Sequence, residues 1–378
     1  VTLCFVSDTY PLRRPFGGMA VYTQTAAQAL CARGHRVHVL IPCRDQPQDA
    51  VDGAVHVHYR RVTWLPLVGR MVPALGESWH LSRALRALHR EHHFDLVEFP
   101  NFEGLGLVSE WRGFVPVVVR LHTSMAESIE AQDRAPKAGE RFMMWAERQS
   151  ARLARGVVTH SRGHRDRLEK IYGRGDIHLI PHGIRLPAGC ASAPEESAVL
   201  TLGRLSPRKG GPALLAAIPR VFAQVPDLTW TIVGAPETHP LVQEFRVAHP
   251  EIPRERVVFH EFLGSAEVDT LYAQTTVYAS ASVYESFGLT FVEAMARGLP
   301  VVGCATSAMT EIITHEQTGL LVPPADPVPF AEAVVRLLHD VPLRTRLGAE
   351  GRRVAVERYG AERMAVEIEA WYREVLAS

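Results

Sequence analysis

The stretch Ser282-Val283-Tyr284-Glu285-Ser286-Phe287-Gly288-Leu289-Thr290-Phe291-Val292-Glu293 decides how this chain is read. It follows a short apolar run, 277–279, that reads as a strand, turns at Gly288, and opens an amphipathic helix over 289–297. A helix N-terminus carries N–H groups without intrahelical acceptors and a partial positive charge, so it suits a phosphate. Gly288 lets that phosphate approach the backbone closely. Glu293 lies one turn into the helix, where a carboxylate can accept both hydroxyls of a ribose. Glu285 lies before the turn, placed to meet a sugar. Two glutamates alone also have a plainer reading, one a loop residue and the other a first-turn carboxylate favoured by the dipole.

Working outward, a second strand end carries cations: Leu202-Gly203-Arg204-Leu205-Ser206-Pro207-Arg208-Lys209-Gly210-Gly211-Pro212. Arg204 as a fork and Lys209 as a point charge are placed to grip a diphosphate, and Pro212 then starts a helix. Arg208 reads as the solvated member of this turn. The spacing of a Walker loop is absent. Further toward the N-terminus, Gly17-Gly18 close the loop 8–18 before a helix, so their backbone N–H groups can face a ligand or simply form a tight entry turn. His122 ends the apolar run Val115-Pro-Val-Val-Val119-Arg-Leu, where it can orient a sugar or cap the strand end. The other histidines, His89, His92 and His93 among them, read as solvated, and none has H-E-x-x-H spacing.

These pieces sit in a βα alternation that runs the whole length. Strand runs at 2–7, 36–41, 55–59, 95–98, 116–121, 157–160 and 178–180 are separated by helix patterns at 19–33, 81–92 and 140–154. Nearly continuous apolar strands suit parallel sheets covered on both faces. The segment 185–197 has no period and is rich in Pro, Ala and Ser, so it reads as a linker. The alternation then restarts, with strands at 199–202, 229–233, 257–260, 277–279, 300–303 and 319–322 and helices at 211–223, 241–249, 265–272 and 289–297. Two doubly wound domains are expected, with ligands at the carboxyl ends of their strands.

Composition excludes several classes. Of 378 residues, 41 are Lys or Arg and 41 Asp or Glu, so no broad basic surface for nucleic acid is expected. The five cysteines are odd in number and form no C-x-x-C pair, which points to a reducing compartment with no structural disulfide and no zinc site. The chain opens on a strand and has no apolar run of membrane-spanning length, so a cytoplasmic location is expected. The apolar stretch 62–72 reads as core cover, with a lipid-linked acceptor or membrane surface as the alternative.

Together, Glu285…Glu293 around Phe287-Gly288-Leu289, the Gly203-Arg204…Lys209-Gly210 loop, Gly17-Gly18 and His122 resemble family 4 of the glycosyltransferases, over essentially the whole chain. The resemblance implies an α/β GT-B architecture of two Rossmann-like domains facing a central cleft. It implies an acceptor-binding domain over 1–184, a nucleotide-sugar domain over 185–359, and a last helix, about 360–378, that crosses back to the first. It further implies that Arg204 and Lys209 bind the diphosphate, that Glu285 contacts the transferred sugar and that Glu293 holds the ribose. The N–H groups of Leu289 and Thr290 would meet phosphate oxygens beside Gly203, Phe287 and Gly288. Gly17 and Gly18 would line the donor phosphate and acceptor side, with His122 close to the sugar. Three departures from the family pattern stand out: Thr306-Ser-Ala-Met-Thr310-Glu311, His182-Gly183 and Glu98-Phe-Pro-Asn101-Phe-Glu103. The first weakens any role for Glu311.

The expected reaction is transfer of a sugar, with retention, from a nucleotide diphosphate sugar, UDP-linked by family frequency, to a sugar, aminocyclitol, glycan or lipid-linked hydroxyl. No D-x-D pair occurs, so no cofactor and no metal are expected, and Arg204, Lys209 and the helix N-terminus take the metal's task. A nucleotide-sugar epimerase, a phosphorylase and an inactive nucleotide-sugar-binding subunit are the rival readings.

Overall fold

The computed structural model describes residues 1–13, 17–62, 73–132, 134–189, 197–306 and 308–378. All but the first residue of the apolar stretch 62–72 lies outside them, as do Cys190 and most of the linker. The chain divides into two compact units, Val1–Arg185 with Ala361–Ser378, and Leu186–Gly360.

The first unit is built on an eight-stranded sheet. Its strands are β1 (Thr2–Val6), β2 (Arg36–Cys43), β3 (Gln48–Asp52), β4 (Val55–Arg61), β5 (Leu96–Pro100), β6 (Val117–Arg120), β7 (Gly156–Thr159) and β8 (Ile177–Leu179). Their order is β3-β4-β2-β1-β5-β6-β7-β8, parallel throughout except for β3 at the edge. β1 and β5 are buried along their whole length, as continuous apolar runs require when helices cover both faces. One face packs on the helices Gly18–Ala32 and Ala361–Ala377, the other on helices that supply Leu81, Leu85, Leu88, Ala151 and Leu168.

The last helix belongs to this unit. Its Met364, Ile368, Trp371, Tyr372 and Val375 join Leu3, Phe5 and Val118 in one core. A buried polar knot fixes it further. Glu98 on β5 accepts from Tyr22 at 2.7 Å, from Arg120 Nε at 3.0 Å and from Tyr372 at 2.7 Å. A carboxylate and guanidinium can stay charged without water only when paired and hydrogen-bonded in this way.

The second unit carries β9 (Ala198–Leu202), β10 (Thr229–Val233), β11 (Val257–His260), β12 (Val277–Ala279), β13 (Val301–Cys304) and β14 (Leu320–Val322). Their order is β11-β10-β9-β12-β13-β14, and every pair is parallel. The chain moves outward from β9 in one direction and then restarts at β12 on its other side. The switch point of this sheet is therefore the crevice between the carboxyl ends of β9 and β12. Cores of Trp230, Ile218, Val221, Val334 and Leu337 hold the helices Gly211–Phe222 and Pro327–His339 against the sheet.

Three local differences from the sequence expectations have physical reasons. β3 is polar and has no counterpart among the expected strands; it exists because Gly53, with φ of 62°, closes a two-residue turn that lets it pair with β4. The helix expected at 81–92 starts at Pro73, held there by Ser78, which donates to the Leu105 carbonyl and accepts from Val108 N–H. The helix Arg162–Tyr172 has an apolar stripe confined to its last turn, Leu168, Ile171 and Tyr172 below the buried His164, and is marked at its ends by the Ser161 cap and by Gly173. Cys4, Cys31, Cys43 and Cys304 are free thiols, and Cys4 and Cys304 are buried.

Candidate active site

Both motifs of the second unit emerge at its switch point. The loop 203–210 leaves β9, and the loop 280–288 leaves β12. They are pressed together. The Arg208 carbonyl accepts from Val283 N–H at 3.1 Å and Tyr284 N–H at 3.3 Å, and Arg208 Nη1 donates to the Tyr284 carbonyl at 3.3 Å. Arg208 is thus not the solvated residue its position in a basic turn suggests; it ties the two loops to each other. Gly210 completes the contact: its φ is 67°, and a Cβ there would lie 1.9 Å from the Ala281 carbonyl oxygen. Only glycine fits.

This contact brings Lys209 and Glu285 into an ion pair, Nζ to Oε1 at 2.6 Å. Burial pushes the Glu285 carboxyl up, but the charge and hydrogen bond of Lys209, with Arg208 and Ser282, outweigh it and hold it below the usual carboxylate range. Glu285 is therefore an anion at neutral pH. Its carbonyl also accepts from Ala308 N–H at 3.3 Å, which ties the turn after β13 to the same loop. Arg204, by contrast, is exposed at the rim of its loop.

Gly288 caps the helix Leu289–Ala296 with φ of 100° and ψ of 51°, a left-handed conformation that side chains resist. Phe291 and Val292 N–H already bond to the Gly288 carbonyl, so the free helix-end donors are those of Leu289 and Thr290, which have no acceptor within the helix. Phe287 is buried edge-on against Tyr359, 5.6 Å between ring centroids, and acts as the anchor of the turn.

Glu293 is half-buried and held from outside its helix. Tyr272 donates to Glu293 Oε2 at 3.0 Å and lies within 3.1 Å of the Thr290 carbonyl. Tyr278 donates to Thr290 Oγ1 at 2.7 Å. Burial raises the Glu293 carboxyl above its ordinary value, against the pull of Arg297 and the Tyr272 hydrogen bond. Tyr272, Tyr278 and Arg208 are the residues that sequence reasoning misses. Tyr272 and Tyr278 are distant in sequence from what they orient, and Arg208 looks no different from its neighbours.

Gly17, Gly18 and His122 lie in the first unit. Gly17 precedes the helix Gly18–Ala32 and both glycines are exposed. His122, just beyond β6, has its backbone clasped by Asn101, whose Oδ1 accepts from His122 N–H at 2.8 Å and whose Nδ2 donates to its carbonyl at 3.2 Å. Its ring stacks on His182 at 5.5 Å and meets Tyr22 edge-on at 5.5 Å. Burial, with Arg120 and His164 nearby, pushes the imidazole down to about 3, so it is neutral at physiological pH. Glu311 sits half-buried on the short helix Met309–Ile312.

Comparison with known proteins fits this geometry. Residues 16–186 match the family model described as Glycosyltransferase Family 4, and residues 196–340 match the one described as Glycosyl transferases group 1. The D-inositol 3-phosphate glycosyltransferase of Jonesia denitrificans is 29% identical over 92% of this chain and 90% of its own length. Among solved structures, sucrose-phosphate synthase from Thermosynechococcus elongatus superposes with a TM-score of 0.82 at 24% identity, covering 100% of this chain and 99% of the other. The Anabaena protein HepE, solved in complex with UDP-glucose, gives a TM-score of 0.75 at 19% identity over 99% of both chains. With both halves matched, the fold shared end to end and the two motif loops joined at the switch point, the chain belongs to glycosyltransferase family 4 and is a glycosyltransferase of GT-B fold.

Proposed function

We propose that this glycosyltransferase takes a sugar from a UDP-sugar, with retention at the anomeric carbon, and places it on a hydroxyl of a small polar acceptor such as an inositol phosphate or a sugar. The observation that carries the reading is the Lys209–Glu285 pair beside the Leu289–Ala296 helix N-terminus, at the switch point of the second sheet. The donor base is inferred from the UDP-glucose complex of HepE, and the acceptor class from the name of the Jonesia relative.

The charges assign the roles. Breaking the anomeric C–O bond leaves negative charge on the β-phosphate and positive charge on the sugar ring. Lys209, held by Glu285, and the N–H groups of Leu289 and Thr290 are donors fixed before the reaction, so they favour that state over the ground state, and the exposed Arg204 is assigned to join them on the diphosphate. Glu285 remains anionic, able both to set Lys209 in place and to accept from sugar hydroxyls. Glu293 takes the ribose hydroxyls, and Gly203, Phe287 and Gly288 shape the loops around the diphosphate. Gly17, Gly18 and His122 are assigned to the sugar and acceptor, His122 as a neutral imidazole. The acceptor hydroxyl attacks from the face the diphosphate leaves: its oxygen bonds the anomeric carbon as the bond to the β-phosphate oxygen breaks, and its proton passes to that departing oxygen, which accounts for retention without a carboxylate nucleophile. The cations take the task that a divalent metal performs in other transferases, so the reaction is expected to proceed without one.

The test is incubation with UDP-glucose and D-inositol 3-phosphate in the presence of a chelator, with the anomeric configuration of the product read by NMR. An α-linked product, absent with Lys209→Ala, is the expected result. A β-linked product overturns retention. Donor binding with no transfer to any of a panel of sugar and polyol acceptors points instead to a binding subunit.

A further inference from the structure

Three histidines that look unrelated in sequence meet in the first unit. His38 on β2 and His58 on β4 are buried, and His92 ends the helix Pro73–His92, half-buried. The parallel register sets His38 beside His56 and Leu40 beside His58, so His38 and His58 project from one sheet face. His92 extends the helix stripe Leu81, Leu85, Leu88 that covers this face. One nitrogen from each of the three rings lies within 4.8 Å of the others.

The hydrogen bonds fix which nitrogens face inward. Asp49 Oδ1 lies 2.9 Å from His58 Nδ1, so that nitrogen carries the proton and donates. His58 Nε2 is then a lone pair. It lies 2.9 Å from His38 Nδ1, which donates to it. Two imidazole nitrogens converging at about the separation that neighbouring ligands of one small cation have, the outer one oriented by a carboxylate, form the carboxylate–histidine arrangement of metal sites. The carbonyl end of the helix closing at His92 also favours a cation.

We propose that His38, His58 and His92 bind a divalent transition metal, zinc by the all-imidazole donor set, with Asp49 orienting His58 from behind. On binding, the proton that His38 Nδ1 shares with His58 moves by exchange with solvent to His38 Nε2, which frees the Nδ1 lone pair for the metal and leaves the ring neutral. His56, exposed and stacked on His38 at 5.0 Å, marks where the cluster meets solvent and where a water or a fourth imidazole completes a tetrahedral shell. The site lies toward the amino ends of the strands, the end opposite the loops that follow β1 and β6. Its effect is therefore structural: it staples the β3–β4 edge hairpin and β2 to the end of the helix Pro73–His92.

The test uses full-length protein without a histidine tag, stripped with chelator and titrated with zinc chloride by calorimetry, with cobalt absorption as a second readout. Wild type is expected to bind one equivalent and to gain thermal stability. Binding should be lost in His92→Gln, and about 10–100-fold weaker in Asp49→Asn, where the orienting carboxylate is gone. Asp49 is exposed, so that variant folds whatever the fate of the first. His182→Asn, in the separate cluster His122, His160 and His182, should bind like wild type. Wild type without a stoichiometric site, wild-type affinity in His92→Gln, or a site lost only in His182→Asn would each overturn the proposal. The readout is binding, so it stands or falls independently of the transferase reaction.

Discussion

Replacing Lys209 by alanine removes two things at once, and a double variant separates them. Its ammonium sits 2.6 Å from Glu285 Oε1 in a pair whose side chains are 22% and 10% exposed. Without it, only the weaker support of Arg208 and Ser282 opposes the burial penalty of Glu285. A polar group left buried in this way costs about 1–3 kcal/mol, or roughly 2–10 °C in melting temperature for a unit of this size. The linkage sign follows from the depressed carboxyl. Its contribution in wild type is present above the ordinary carboxylate range and is lost as pH falls through the lower folded value, and in Lys209→Ala that acid-side loss disappears. Lys209→Ala/Glu285→Ala deletes both charges, so it should be more stable than the sum of the single losses, by about 1 kcal/mol or more. Turnover behaves differently. Each single variant, followed by UDP release from UDP-glucose, should lose about 10²–10³ in kcat, the scale of one lost transition-state donor, and the double should recover none of it. Lys209→Ala turning over within tenfold of wild type, or single stability losses that simply add, would refute the reasoning.

Other outcomes follow from the same structure. Gly210→Ala should melt several degrees lower and release less UDP, because its Cβ meets the Ala281 carbonyl at 1.9 Å; differential scanning fluorimetry and the UDP assay check both. Burial raises the Glu110 carboxyl to about 8, so the stability it confers is complete below the unfolded carboxylate value, near 4.5, and is lost as pH rises through 8. The melting temperature of Glu110→Gln should therefore gain on that of wild type between pH 5 and 8, by an amount on the order of 1 kcal/mol per pH unit; parallel curves would contradict this. Tyr372→Phe leaves a Glu98 oxygen unpartnered beneath the last helix and should cost about 1–3 kcal/mol in urea unfolding.

The layers of this fold are legible because its strands are apolar throughout and its helices carry stripes; β1, β9 and β12 lie within two residues of their expected bounds. The motif around Gly288 is legible because a phosphate-ready helix start needs glycine, and its position before the helix is local information. What is not legible depends on residues far apart in sequence. Nothing near Lys209 announces that Glu285, 76 positions later, is its partner. Arg208 and Lys209 are chemically alike neighbours, and only the path of the 280–288 loop decides that the first clamps backbone while the second meets a carboxylate. The histidines of β2 and β4 fit a polar-tolerant strand one at a time, and His92 by itself reads as solvated; they acquire meaning only when the register brings them together. β3 needs the β4 edge before its polar sequence becomes a strand.

The donor site in the second unit is the central claim, and nucleotide binding tests it without knowledge of the acceptor. Wild type and Glu293→Ala are melted with UDP, GDP, ADP and dTDP; the variant keeps the Thr290 carbonyl as acceptor for Tyr272, so its fold should persist. A specific ligand raises the melting temperature by mass action. UDP alone stabilising wild type, with the shift abolished in Glu293→Ala, is the expected result. Folded wild type that responds to none of the four nucleotides would contradict it.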